Sequence, residues 1–134
     1  MVATLKTQGE IAHLTFSLTN SSKDNKGAPV AITVNARVKV YQGSALFLHG
    51  ALEADFLPIA VTLPAGYSTW VLDISTEGLS TGGQIGYEGY KDIGLVLTLP
   101  NGQEVSQEWD DPLKVISAYV PPVDNVSFLD LVVG

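Results

Sequence analysis

From Val30 to Tyr41 apolar and polar side chains alternate almost without a break. Val30, Ile32, Val34, Ala36, Val38 and Val40 fall on one side of an extended chain. Ala31, Thr33, Asn35, Arg37, Lys39 and Tyr41 fall on the other. Successive side chains of a strand point to opposite faces, so this stretch commits the chain to a sheet with one buried and one wet face. The same period recurs in Ala12, Leu14, Phe16 and Leu18, which alternate with His13, Thr15, Ser17 and Thr19, and again in Ser68, Trp70, Leu72 and Ile74. Leu95, Leu97 and Leu99 lead into Pro100-Asn101-Gly102, and Val105, Gln107 and Trp109 follow. Asn-Gly between two alternating runs marks a hairpin. No segment shows a convincing 3.6-residue period.

Turn signals separate the runs. Asn20 to Pro29 is a polar loop, residues 42–44 and 63–66 are turns, and Gly78 to Gly89 holds five glycines. The spacing predicts strands near 11–19, 30–41, 45–49, 52–63, 67–74, 93–99 and 103–109, with further apolar runs near 113–120 and 126–133. Seven to nine short strands predict an all-β, antiparallel β-sandwich. A small closed barrel is the competing arrangement. The expected organisation is a sandwich over 1–112 and a C-terminal extension over 113–134.

Composition narrows the partners. The 134 residues are 46% hydrophobic and carry a formal charge of −7, which argues against a nucleic-acid partner. Residues 1–67 hold five basic and four acidic side chains, and residues 68–134 hold two and ten. There is no cysteine, which removes disulfides, thiolate metal sites and cysteine nucleophiles. The N-terminus lacks the basic and apolar regions of a signal peptide. The longest uncharged stretch, Phe56 to Leu72, is interrupted by Pro58, Pro64 and Gly66, and no membrane insertion is expected.

The run Leu14-Thr-Phe-Ser-Leu-Thr-Asn-Ser-Ser22, a polar loop, a long alternating strand and then Val61 to Leu72 resemble the immunoglobulin-like and fibronectin-type-III-like modules of bacterial surface proteins and phage virions. The resemblance covers about residues 10–110. It implies an immunoglobulin-like sandwich and carries no site. The chain lacks the cysteine pair of antibody-type domains, and the segment after about residue 112 has no counterpart in the pattern.

Chemistry-bearing motifs are few. Gly78-Leu-Ser80-Thr-Gly82 fits the nucleophile-elbow spacing, but Gly82-Gly83 opposes the helix an elbow needs, and both His13 and His49 precede the serine. A Gly/Ser loop is the expectation, with no catalytic residue and no cofactor. Neither histidine has a metal-ligand neighbour at i+2 or i+4. Glu108, Asp110 and Asp111 crowd at one strand end, and hairpin pairing brings Asp92 toward them. Oxygen-rich clusters of this kind bind Ca²⁺, but no D-x-D-x-D-G loop is present, so a solvated acidic rim is expected. Trp70 shares a face with Leu72 and Ile74 and is expected in the core, beside Phe16, Val34 and Leu97; Trp109 shares the parity of Val105. Tyr87 and Tyr90, in the glycine-rich loop, are candidates for stacking on a ligand or partner.

The C-terminus breaks the pattern. Pro121-Pro122 cannot lie inside a central strand. Val126, Phe128, Leu131, Val132 and Val133 are too apolar for a free tail. Phe128, Leu131 and Val133 are the expected contacts to neighbouring subunits, in a homo-oligomer or larger assembly. The expected function is therefore a non-enzymatic structural module, a phage virion component (decoration, tail or fibre) or a prokaryotic surface subunit, located in a virion or at a cell surface. A carbohydrate-binding or adhesion module with a glycan ligand is the alternative, and a small hydrolase built on Ser80 comes third.

Overall fold

The computed structural model describes residues 3–44, 49–117 and 124–133. Among these the chain is all-β, with eight strands and no helix: β1 (Thr4–Thr7), β2 (Ile11–Asn20), β3 (Ile32–Gln42), β4 (Leu52–Asp55), β5 (Ile59–Leu63), β6 (Gly66–Ser75), β7 (Tyr90–Thr98) and β8 (Glu104–Ile116). The predicted strand at 45–49 falls largely on residues outside those described. The strands form an open two-sheet sandwich and do not close into a barrel. The larger sheet runs β1-β8-β7-β3, with β5 and β4 one after the other along the far edge of β3, and among the described residues the smaller sheet is β2-β6. All pairs are antiparallel except β1 with β8, which is parallel.

Strand β3 shows how the pattern becomes a core. Val34, Ala36, Val38 and Val40 are 0–2% exposed, and Asn35 and Arg37 between them are exposed. They pack against Ile93, Leu95 and Leu97 of β7 and against Ala12, Phe16 and Ile74 of the smaller sheet. Phe16 is the centre of the contact between sheets. It stacks on its cross-strand partner Trp70 at 5.5 Å and meets Trp109 of β8, also at 5.5 Å. The sequence places Trp70 in the core; it is half-buried, and Phe16, 5% exposed, takes the central position.

The hairpin forms as its sequence dictates. Thr98 pairs with Glu104, the Gly102 N–H bonds to the Leu99 carbonyl at 2.9 Å, and Gly102 sits at φ 86°, a conformation that costs glycine little. Three elements differ from the pattern. Residues 52–63 form two strands because Phe56-Leu57-Pro58 bulges between them, and Pro58 has no N–H for a ladder. Strand β8 does not stop at Trp109. Ile93 pairs with Trp109 and Lys91 with Leu113, so Asp92 faces a bulge of Asp110, Asp111 and Pro112, and the proline is tolerated there. Residues 113–116, assigned to the extension from sequence, are the end of β8, with Leu113 and Val115 in the core. The third is β1, absent from the sequence reading; it is four residues long and its register comes from a β8 partner more than a hundred residues away.

Candidate functional site

Ser80 lies in the irregular loop between β6 and β7, anchored by the buried Leu79. Its hydroxyl donates to Glu53 Oε2 at 2.5 Å and lies 3.1 Å from Lys91 Nζ, which donates to it. Lys91 is fully buried and its ammonium meets Glu53 Oε1 at 2.6 Å. Gln42 Nε2 donates to Glu53 Oε2 at 3.1 Å. Burial on its own raises the Glu53 carboxyl; the hydrogen bonds from Lys91, Ser80 and Gln42 outweigh it and hold the group below its ordinary range. An ammonium committed to a carboxylate offers no lone pair for a serine proton, so the cluster fits a clasp that ties the loop to β4 and β7.

On the outer face of the same strand end, the hairpin register brings together the acidic residues that the sequence crowds. Carboxylate oxygens of Asp92, Glu108 and Asp110 all lie within 4.8 Å of one another. Asp92 is 2% exposed and accepts from the Asp111 N–H at 2.8 Å. Asp111 occupies the left-handed region at φ 54°. Burial first, then the charge and hydrogen bond of Asp92, then the charge of Asp110, push its carboxyl up to about 6. With one oxygen each, three carboxylates supply half or fewer of the six to eight oxygens Ca²⁺ takes. His49 bonds to Glu108 at 2.8 Å and stacks on Tyr41, and His13 pairs with Asp73 across the β2-β6 ladder, so each histidine has a carboxylate partner.

The Asp111 environment sets a pH dependence. Its raised value means that its proton stabilises the fold; this contribution is complete below the ordinary aspartate value of 3.8 and is lost as pH rises through about 6. Asp111→Asn keeps a residue that tolerates a positive φ and removes the repulsion. The melting temperature of Asp111→Asn is expected above that of the parent at pH 7 and equal to it near pH 4. Equal melting temperatures at pH 7 would refute the repulsion.

An open cleft lies between the sheets. Among the described residues the smaller sheet has two strands, and a cleft of about 700 Å³ occupies the space beside β2 where a third strand would stand. Six consecutive β2 residues, Ala12 to Ser17, line it, opposite Trp109 and Leu113 of β8. A second cleft of about 240 Å³ continues it along Ser17 to Thr19 and over Val105. Val105, Gln107 and Trp109 face inward with the parity of the core, since Val105 pairs with Leu97 and Trp109 with Ile93. Yet Val105 is 41% exposed, Gln107 is exposed and Trp109 is only half-buried. Among the described residues the inner face of β8 thus lacks the cover that β2 and β6 give to β3 and β7.

The chain matches no known protein-family model and no curated protein. The candidate contacts therefore rest on geometry. Phe128, Leu131 and Val133 are 94%, 84% and 86% exposed, in a segment with no strand pairing among residues 124–133. Tyr87 and Tyr90 do come together, edge to face at 6.2 Å, with Lys114 4.8 Å above the Tyr90 ring; both are half-buried. Sequence reasoning missed the groove and the Lys91–Glu53 pair. The signal for the groove was present: polar Gln107, between Val105 and Trp109, interrupts a face that a closed sandwich would fill with apolar residues.

Proposed function

We propose that this chain is a non-enzymatic assembly module that joins neighbouring protein subunits through its C-terminal arm. The observation that carries the reading is the exposure of Val126, Phe128, Leu129, Leu131, Val132 and Val133, each 82–94% open to solvent within one short run. Burying such a side chain contributes about 1.5–3 kcal/mol, and single exposed apolar residues are ordinary while contiguous ones mark interaction surfaces. The ion-paired surroundings of Ser80 support the non-enzymatic part. The resemblance to virion and bacterial surface modules supports a virion or cell surface as the setting.

The native mass of the full chain tests the proposal. An oligomer is expected, falling to the 14.2 kDa monomer when Phe128, Leu131 and Val133 are all replaced by Asp. A full chain that stays monomeric at high concentration would refute it.

A further inference from the structure

We infer that the groove beside β2 receives the C-terminal arm of a second copy of this chain, added as a third strand to the smaller sheet. The inference rests on the assembly reading above and names the acceptor. The free edge of β2 faces the groove, since its consecutive residues line both clefts and no β6 residue does. Among the described residues that edge has no strand partner, and an unpaired edge offers N–H and C=O groups that an extended chain satisfies.

Length, composition and charge match. The lined part of β2, residues 12–19, spans about 26 Å at ~3.3 Å per residue. Residues 124–133 of the arm, extended, cover it. The arm presents Val126 and Phe128 on one face and Leu129, Leu131 and Val133 on the other, so either face brings apolar side chains onto Val105 and Trp109. Its only side-chain charges are Asp124 and Asp130. The groove lining has no acidic residue among those described and includes Lys6. The donor is another copy because the arm of the same chain lies outside its own groove with its apolar residues exposed. Each copy then gives one arm and receives one, which closes into a dimer or ring or propagates as a filament.

Two full-length variants test the acceptor. Val105→Arg puts a charge on the groove floor at a position already 41% exposed, so the fold tolerates it. Phe128→Asp disables the arm. Val71→Arg, on a β6 residue that is 52% exposed and lines neither cleft, is the control. By native mass, the parent and Val71→Arg are expected to be oligomeric and the other two monomeric, with circular dichroism unchanged. If Val105→Arg unfolds, Gln107→Arg takes its place. An oligomer that survives the groove variant but not Phe128→Asp overturns this inference and leaves the assembly function standing. An oligomer that survives both overturns the inference and the arm's role together. A monomeric parent defeats the assembly reading itself.

Discussion

Replacing Lys91 with methionine is expected to lower the unfolding free energy by about 3–5 kcal/mol, the cost of leaving one partner of a buried ion pair alone. Lys91 has no exposed surface and the Glu53 side chain is 9% exposed, so water cannot compensate either charge. Glu53 would keep only Ser80 and Gln42 as partners. The melting temperature would fall on the order of 10–20 °C. The double variant Lys91→Met/Glu53→Leu removes both charges and is expected to recover most of the loss, because the attraction of such a pair largely offsets its own desolvation. Denaturant unfolding of the two single variants and the double variant measures this. A single variant as stable as the parent would show that the pair is hydrated in solution.

Phe16→Ala is the second large effect, expected to cost about 3–5 kcal/mol. The side chain is 5% exposed and fills the space between Trp70 and Trp109, so truncation leaves a cavity where the ring of Phe16 joins β2 to β8. Among the described residues the smaller sheet has two strands, which leaves few neighbours to redistribute the contact. Trp70→Ala is expected to cost less, because Trp70 lies at the margin of the same cluster and is already partly solvated. The two variants unfolded in parallel rank the positions, and the reverse order would mean that Trp70 is the true keystone.

The parts of this fold that local chemistry determines were legible in the sequence. Alternation at residues 30–41 became β3 with Val34, Ala36, Val38 and Val40 buried, and Asn101-Gly102 became the β7-β8 turn. The carboxylate cluster was legible for the same reason, since hairpin register carries Asp92 to Glu108 and Asp110. What long-range contacts determine was not. Thr4 to Thr7 has no pattern of its own and is a strand only because β8 runs beside it. Asp110-Asp111-Pro112 reads as an end, but a bulge absorbs all three and β8 continues. Lys91 and Glu53 are 38 positions apart and sit in runs that look amphipathic, so nothing local announces that both are buried. The number of strands in the smaller sheet depends on which edge goes unpaired, and no residue of β2 declares that.

The central claim is that the arm of one copy lies in the groove of another. Placing a photo-crosslinking benzoylphenylalanine at position 128 and mixing ¹⁴N and ¹⁵N preparations tests it most directly. After irradiation, mass spectrometry is expected to find residue 128 joined to segments 12–19 or 105–113, in pairs that carry both isotopes. Crosslinks to those segments within single-isotope pairs alone, or crosslinks that avoid both segments, would contradict the account.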